Sequence, residues 1–502
     1  MQINVLEYLE NIVKVLPDKI AYGDDKQTIS FMEVYDQARA IGTFLSNKGL
    51  YKEPIIIFME KSPKAIVAFL GSLYGGNYYV PIDVEMPEFR IKLILERLSP
   101  KLIICDDTTE EIAKSFDFKG EIFLYKDIVK THVDEVALEN IRSLAIDTDP
   151  IYIVFTSGST GVPKGVIANH RSVIDYIDNL TEILEVDKDT IFGNQTPLYL
   201  DASLKEIYST LKLGATTYII PKSLFSFPIK LVEFLNQYRI NTVCWVVTAL
   251  TMISTFRVLD RSIPQYLHTI AFGSEVFPIK QFNMWKKALP NSKFINLYGP
   301  TETTGMCCYY KVNRDFEEGD VLPIGRPFKN TEILLLNDQD KPCQRGEQGE
   351  ICVRGTSLTL GYYKDFERTG EVFVQNPLNK IYPELIYRTG DIGRYNEWGE
   401  LVFVSRKDHQ VKHMGHRIEL GEIDTHVNML RGINGASTIY DNEKGQIILF
   451  YAGDLGKREV LDGLKDSLPR HMIPNKVRKL DAIPLTANGK IDRIYLKNYI
   501  KK

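Results

Sequence analysis

Residues 54–83 read PIIIFMEKSPKAIVAFLGSLYGGNYYVPID. The apolar run PIIIF is followed by a helical stripe that includes Ile66, Phe69 and Leu73, and then by a second strand-like run, YYVPID. Helical EFRIKLILERL and strand-like KLIICD continue the alternation. Strands that alternate with helices in this way are typical of parallel sheets covered by helices. We therefore predict an α/β fold for the first part of the chain.

Three later strand candidates, TVCWVV, HTIAFG and SKFINLYG, each run into glycine or polar residues. Ligands bind at the carboxyl ends of strands in open α/β sheets, so these ends are candidate site positions. Beyond about Arg406 the pattern changes to charged segments and a hairpin, ASTIYDNEKGQIILFYAGD, with NEKG as its turn. Since 502 residues exceed one ordinary core, we expect a second, small α+β domain there.

The composition is that of an ordinary soluble globular protein, with 44% hydrophobic and 25% charged residues. A net charge of -4 gives no electrostatic footprint for nucleic acid or for an anionic membrane. The sequence has no apolar run of membrane-spanning length and no signal peptide pattern, so a cytoplasmic location is expected. The six cysteines show no zinc spacing, and no metal site is predicted from them.

A run of hydroxyls and glycines, Thr156 to Gly161, follows the apolar segment YIVF and precedes Lys164. Such residues cannot build a core, whereas close backbone amides, hydroxyls and a cation suit a polyphosphate. The spacing is not that of a P-loop, because Gly165 rather than Ser or Thr follows the lysine. Taken alone, the stretch is either a phosphate-binding loop or a plain surface loop.

Four further segments follow this loop in order: LYGPTETT, YRTGD, SRKDHQVKHMGHRIELGEID and PLTANGKIDR. With GNYYVPID and GEICVRGTSLTLGYY, they make the whole chain resemble the adenylate-forming superfamily. Within it, the chain is most similar to amino-acid adenylation domains of nonribosomal peptide synthetases. The D-alanine carrier-protein ligases are close relatives of these domains.

The resemblance implies ATP-dependent activation of an amino acid as aminoacyl-AMP with release of pyrophosphate. Transfer to the phosphopantetheine thiol of a carrier protein then follows. ATP and Mg2+ are the implied cofactors. The implied organisation is a core of packed sheets covered by helices at 1–406, a hinge at 407–408 and a small mobile domain at 409–502. The alternatives are a D-alanine carrier-protein ligase and an acyl-CoA or aryl-acid ligase of the same superfamily.

The partners implied are the amino acid and the carrier protein, with no nucleic acid or membrane. No GGxS-type carrier segment follows the final KNYIKK. Unless the chain is part of a larger synthetase, which stays open, we therefore expect the carrier in trans, and we expect the enzyme to be a monomer.

The resemblance also assigns roles to individual residues. The loop implied to bind the leaving pyrophosphate comprises Thr156, Ser157, Gly158, Ser159, Thr160, Gly161 and Lys164. Other implied nucleotide contacts are Gly273, Ser274, Asn296, Tyr298, Gly299, Thr301, Asp391 and Arg406. Catalytic roles fall on Lys490, Thr156 and Glu302, with Glu302 also the magnesium ligand. Asp408 matches the hinge and Gly415 the pantetheine channel, while Ser405 stands where the family usually has glycine.

Asp201, in NQTPLYLDASLKEIY, matches the residue that binds the α-ammonium of an amino acid. Motif register places the rest of the pocket at Ala202, Lys205, Trp245, Ile270, Phe272, Leu297, Gly305 and Met306. The large side chains among them predict a cavity that is shallow on one side.

Lys205 leaves two alternatives open. Its ammonium could pair with an acidic substrate side chain, as in some glutamate-activating relatives. Alternatively, it snorkels outward along its helix and leaves an apolar pocket. The amino acid and its enantiomer stay open.

Overall fold

The structure, a computed structural model, describes residues 2–158, 162–408, 410–442, 444–485 and 491–500. The strands in chain order are β1 (Ile20–Gly23), β2 (Thr28–Ser30), β3 (Pro54–Phe58), β4 (Tyr78–Pro81), β5 (Leu102–Cys105), β6 (Glu121–Leu124), β7 (Pro150–Thr156), β8 (Lys164–Asn169), β9 (Ile191–Asn194), β10 (Thr216–Ile219), β11 (Thr242–Val246), β12 (Thr269–Gly273), β13 (Lys293–Tyr298), β14 (Cys308–Lys311), β15 (Arg326–Pro327), β16 (Thr331–Leu336), β17 (Gly349–Gly355), β18 (Gly361–Tyr362), β19 (Phe373–Gln375), β20 (Leu385–Tyr395), β21 (Leu401–Arg406), β22 (Gln410–His413), β23 (His416–Glu419), β24 (Ile433–Asp441), β25 (Gln446–Gly453) and β26 (Lys476–Lys479).

The helices in chain order are α1 (Leu6–Ile12), α2 (Phe31–Asn47), α3 (Pro63–Tyr74), α4 (Glu88–Leu98), α5 (Glu110–Ser115), α6 (Tyr125–Ile128), α7 (Glu135–Leu144), α8 (His170–Leu184), α9 (Leu204–Leu213), α10 (Pro228–Gln237), α11 (Val247–Thr255), α12 (Ile279–Ala288), α13 (Phe366–Val372), α14 (Leu420–Asn428), α15 (Lys457–Lys465) and α16 (Arg493–Tyr499). Local sequence explains several starts. Ser30 and Glu33 form a capping box on α2, and Pro63 occupies the first turn of α3.

In the part of the chain that the structure describes, two large sheets form the body of the molecule. The first has the strand order β15-β14-β13-β12-β11-β9-β10-β1-β2, and the second β18-β8-β7-β4-β3-β5-β6. The pairs β3 with β4, β4 with β7, and β11 with β12 are parallel, as the strand and helix alternation predicted. The α/β fold class is confirmed.

The largest core cluster joins the facing sides of these two sheets. Helices α1, α2, α3, α8 and α9 contribute to it through Leu9, Ile41, Leu70, Ile177 and Ile207, respectively. A second cluster packs α10, α11 and α12 on the opposite face of the first sheet. The strands of the first sheet therefore bury side chains on both faces.

A third sheet, β16-β17-β20-β19 with β21 beside β20, follows in the chain. The C-terminal region then forms the hairpin β22–β23 and the sheet β24-β25-β26, as seen in the described part. β24 and β25 are antiparallel, which confirms the hairpin predicted from the sequence. This region has its own core, built around Ile423, Leu449 and Leu464.

None of the helices in the described residues is long and apolar enough to cross a bilayer.

Candidate active site

The loop rich in hydroxyls and glycines joins two antiparallel strands. β7 ends at Thr156 and β8 begins at Lys164, and these two residues are register partners. The element is therefore strand, loop and strand, whereas a P-loop leads from a strand into a helix. Three of the predicted phosphate ligands, Ser159, Thr160 and Gly161, lie outside the described residues.

The first part of the loop contacts the C-terminal region. A Cβ on Gly158 would lie 2.0 Å from the carbonyl oxygen of Val162, so only glycine fits this fold of the backbone. The N–H of Gly158 donates to Oε2 of Glu422 at 3.2 Å. The hydroxyl of Ser157 donates to the carbonyl oxygen of Arg417 at 2.7 Å. Donors predicted to hold phosphate are thus in contact with acceptors of the C-terminal region.

Lys164, at the far end of the loop, is buried. Its Nζ lies 3.5 Å from Oε1 of Glu419 and 5.6 Å from the centre of the Tyr362 ring. Burial lowers the pKa of Lys164, and the nearby Arg417 lowers it further. A buried ammonium with one distant carboxylate partner is well suited to meet phosphate oxygens.

Glu302 lies in a short 3-10 turn directly after β13 and is completely buried. Its Oε1 accepts a hydrogen bond from the hydroxyl of Tyr362 at 2.6 Å, and its Oε2 pairs with Arg417 at 2.7 Å. Burial raises the pKa of Glu302, but the cations Arg417 and Lys164 outweigh it, and the pKa falls to about 2. The carboxylate is therefore ionised at neutral pH.

Magnesium is the metal that the resemblance implies at Glu302. The described residues contain no group of three or more side chains that could hold a metal ion. Magnesium is commonly bound by one or two carboxylates together with phosphate oxygens and water. The guanidinium of Arg417 shows that Oε2 of Glu302 already accommodates a cation. The residues present therefore fit magnesium, for which Glu302 would be the carboxylate ligand.

Three predicted nucleotide contacts meet where β13, β20 and β21 come together. The hydroxyl of Tyr298 donates to Oδ2 of Asp391 at 2.5 Å, and Arg406 pairs with Oδ1 of the same carboxylate. The Nζ of Lys412 lies 5.5 Å from the centre of the Tyr298 ring. The side chains expected to bind adenine and ribose are thus adjacent.

The remaining predicted nucleotide contacts follow the carboxyl ends of β12 and β13. Gly273 is the last residue of β12, and Ser274 continues with a φ of +67°. Asn296, on β13, donates to the carbonyl oxygen of Pro323 at 2.8 Å. Gly299 and Thr301 lie between β13 and Glu302.

Asp408 is held by Arg406. Its Oδ1 accepts from Nε and its Oδ2 from an Nη of Arg406, both at 2.7 Å. Arg406 therefore links Asp408 to Asp391. Ser405 pairs with Ile392 in the ladder between β20 and β21, at the position where the register of the two strands shifts.

The turn of the β22–β23 hairpin rests on the first large sheet. Gly415 has a φ of +79°, and a Cβ at this position would lie 2.5 Å from Cγ1 of Val246. Its N–H donates to Oε1 of Glu275 at 3.0 Å. The predicted channel residue thus contacts the end of β11 closely.

A buried ion pair joins the C-terminal region to α4, a helix that covers the second large sheet. Arg90 of α4 pairs with Glu422 of α14, and both side chains are nearly inaccessible to solvent. Breaking such a pair by removing one partner typically costs about 3 to 5 kcal/mol, because the remaining charge stays buried. The pair therefore favours the observed placement of the hairpin over the site.

The amino-acid end of the site begins at Asp201. This residue opens a 3-10 turn before α9, and its Oδ1 accepts from the N–H of Ala202 at 2.9 Å. Burial raises the pKa of Asp201, while Lys205 and the hydroxyl of Thr301 act against this rise. Thr301 also lies beside Glu302, so the predicted ammonium site and the phosphate end share one loop.

The AMP-binding enzyme family matches the chain over residues 9–363. The chain belongs to this family. It is 30% identical to tyrocidine synthase 1 of Brevibacillus parabrevis, over 98% of this chain and 44% of that protein. It is 31% identical to the delta-poly-L-ornithine synthetase of Acinetobacter baumannii, over 98% of this chain and 37% of that protein.

A solved structure, the adenylation domain AlmE of Vibrio cholerae in complex with glycyl-adenosine-5'-phosphate, has the same fold. The TM-score is 0.86 at 21% identity, covering 100% of this chain and 98% of that chain. The chain spans less than half the length of the two curated relatives named above. Together these matches identify an adenylation domain of the adenylate-forming superfamily, which is an AMP-forming ligase.

Three predicted pocket residues of this adenylation domain face away from Asp201. Trp245, Ile270 and Phe272 belong to the cluster on the α10 to α12 face of the first sheet. The indole N–H of Trp245 donates to the carbonyl oxygen of Gly193 at 2.7 Å, and Phe272 packs edge-on against Phe277. The structure does not bring these three side chains to the site.

The opposite face of the first sheet, which packs against α8 and α9, is the face on which Asp201 lies. Leu297 and Met306 pack there with Cys244, the neighbour of Trp245. Gly305 lies against the ring of Tyr176, which is 3.1 Å from an ideal Cβ on that glycine. The shallow cavity was predicted from Trp245, Phe272 and Leu297. Of these three residues, Trp245 and Phe272 lie on the other face of the sheet.

Sequence reasoning did not single out Cys244, Tyr176 and Glu206, whose side chains interact electrostatically with one another. All five residues of β11 are buried, so the strand is apolar on both faces. A strand of this kind offers no alternation that distinguishes Cys244 from Trp245. Motif register offers no anchor between Lys205 and Trp245, and a shift of one position along a strand moves a side chain to the other face.

Proposed function

We propose that this adenylation domain activates an amino acid as aminoacyl-AMP and transfers the aminoacyl group to a phosphopantetheine thiol. The observation that carries the proposal is the position of Asp201. Its carboxylate lies beside Thr301, on the loop that also carries Glu302. An amino group bound at Asp201 would therefore hold the substrate carboxylate near the phosphate end of the site.

In the first half-reaction, a carboxylate oxygen of the amino acid attacks the α-phosphorus of ATP, and pyrophosphate leaves. The loop from Thr156 to Lys164 supplies donors to the leaving phosphates, where fixed donors stabilise developing charge. Asp391 accepts from the ribose hydroxyls, and Lys490 neutralises charge on the reacting oxygens. Magnesium, when bound at Glu302, neutralises further phosphate charge.

In the second half-reaction, a thiol attacks the acyl carbonyl carbon, the thioester forms and AMP leaves. The contact between Gly415 and Val246 supports this step, since the residue proposed for the pantetheine channel packs against the carboxyl end of β11. A phosphopantetheinylated carrier protein would supply the thiol. Residues 407–408 would be the hinge about which the C-terminal region moves between the two half-reactions.

Amino-acid-dependent pyrophosphate exchange tests the proposal directly. The panel should contain amino acids of both hands together with fatty and benzoic acids. Exchange with an amino acid supports the proposal, and a D-alanine carrier-protein ligase would be one case within it. Exchange with plain acids alone would instead establish an acyl-CoA or aryl-acid ligase.

Replacing Asp201 with alanine should weaken every amino acid substrate alike. An ion pair at about 4 Å is worth around 4 kcal/mol at an effective dielectric of 20, before desolvation is subtracted. We expect kcat/KM to fall by roughly 30-fold in pyrophosphate exchange, because losing one member of a charged pair costs at least about 2 kcal/mol.

The exposed Asp189→Asn variant is the matched control and should keep wild-type exchange. If Asp201→Ala retained full activity with amino acids, recognition of an amino group at this position would be refuted.

A further inference from the structure

Lys205 is a buried cation without a close partner. It is the second residue of α9 and is only 4% exposed, so most of its side chain is out of contact with solvent. Within the described parts of the chain, no hydrogen bond or ion pair reaches its Nζ. Buried charges in proteins are normally paired, because desolvation of an unpaired ammonium costs several kcal/mol. An unpaired ammonium beside a substrate site calls for an anion from the ligand.

The two acids whose charges interact with that of Lys205 do not serve as that partner. Burial raises the pKa of Asp201 and of Glu206, the charge of Lys205 opposes this rise, and neither carboxylate lies within ion-pair distance of Lys205. Under the proposed function, Asp201 is taken by the α-ammonium of the substrate. Glu206 accepts from the side chain of Asn194 at 3.3 Å, and burial raises its pKa to about 7. Substrate binding would therefore leave Lys205 with less compensating charge than before.

A tyrosine hydroxyl adds a second free donor on the same side. The hydroxyl of Tyr176 is buried and has no hydrogen-bond partner among the described residues. Burial raises the pKa of Tyr176, and the charges of Asp201 and Glu206 act on it as well. The phenol therefore stays protonated and can donate. Its ring lies against Gly305, a residue of the predicted pocket.

We propose that the amino-acid substrate carries an anionic side chain, a carboxylate, which is held by Lys205 and the hydroxyl of Tyr176. This inference rests on the proposed function. One ammonium and one hydroxyl donor match the two oxygens of a carboxylate, and such charge-assisted hydrogen bonds are the strong ones. The apolar pocket, in which Lys205 turns outward, does not agree with its burial.

Pyrophosphate exchange with matched acid and amide pairs tests the substrate class. Aspartate with asparagine, glutamate with glutamine, and 2-aminoadipate should be compared in both hands, beside alanine, leucine and ornithine. We expect at least one acid to exceed its amide by tenfold or more in kcat/KM. A preference for amides, aliphatic or cationic side chains would overturn the inference but leave amino-acid activation intact. Activity with non-amino acids alone would overturn the proposed function itself.

Two variants connect this preference to the named residues. Lys205→Met keeps a linear side chain of similar length and should lower kcat/KM for the preferred acid roughly 30-fold, while its amide changes little. Tyr176→Phe should reduce the same ratio by a smaller factor. Lys212→Met, two turns further along α9 and paired with Asp178, is the matched control and should leave the ratio unchanged.

Thermal melting shows whether each variant is folded. For an unfolded Lys205→Met, Lys205→Arg serves instead, since it keeps the charge and should retain the preference for the acid over the amide. An equal loss for acid and amide in Lys205→Met would show that Lys205 serves the common α-carboxylate, and an unchanged ratio would show that it has no role. Either result overturns the inference.

Discussion

Lys490→Ala is expected to reduce aminoacyl-adenylate formation at least 100-fold while ATP binding changes little. The proposed role of Lys490 is to neutralise charge that develops on the substrate carboxylate and the α-phosphate oxygens. Removing a donor that acts mainly in the transition state typically costs about 10²-fold or more in kcat. Such a loss appears in kcat and kcat/KM together rather than in ground-state affinity. Pyrophosphate exchange measures adenylate formation, and nucleotide titration measures ATP binding.

Lys497→Ala is the matched control, because Lys497 is an exposed lysine of the following helix, α16. It should exchange pyrophosphate at the wild-type rate. Near wild-type turnover in Lys490→Ala would show that the role taken from the resemblance is wrong for this chain. Lys490 itself lies outside the described residues, so this variant provides the direct evidence for its role.

Gly415→Ala is expected to slow thioester formation about 100-fold and to leave adenylate formation nearly unchanged. An added Cβ would lie 2.5 Å from Cγ1 of Val246, a distance at which one of the two must move. Valine is stiff at χ1 and packs at the end of β11, so the hairpin would have to shift instead. A displacement of about 1 Å in a reacting geometry can cost 10²-fold. Transfer of labelled aminoacyl groups to a holo carrier protein measures the effect.

Two further variants separate the steric clash from backbone strain. Gly445→Ala places a Cβ at a φ of +60° in the same region, but its nearest neighbour is 3.7 Å away, so transfer should be normal. Val246→Ala combined with Gly415→Ala removes the clashing methyl groups and should restore most of the transfer rate. A double variant as slow as Gly415→Ala would show that the loss comes from strain at the positive φ alone.

The fold was largely predictable because its signals are local. Alternating strands and helices, with glycine or polar residues at strand ends, indicate parallel sheets whatever the distant partners are. The β24–β25 hairpin was equally accessible, since its turn residues and both strands are contiguous in sequence. The resemblance placed Glu302, Asp391 and Arg406 through short segments with distinctive composition.

The substrate side of the site was less accessible to sequence reasoning. Between Lys205 and β12 no distinctive segment anchors the prediction of Trp245, which lies on the opposite face of β11 from Cys244. Partners far apart in the chain were invisible for another reason. Arg90 and Glu422 are 332 residues apart, and neither residue alone differs from an ordinary surface charge. Only the folded arrangement shows that this pair is buried.

The pairing of Arg417 with Glu302 has a consequence for the timing of the two half-reactions. Arg417 and a magnesium ion would both draw on the single negative charge of Glu302, so hairpin docking and magnesium binding there would oppose each other. By linkage, tighter binding of magnesium and pyrophosphate at Glu302 would make docking of the hairpin less favourable by the same free energy. Under the proposed function, departure of pyrophosphate and its metal would therefore precede entry of the thiol. The exchange of one cation for another would separate the two half-reactions in time, because the docked hairpin engages Ser157 and Gly158 of the loop proposed to bind pyrophosphate.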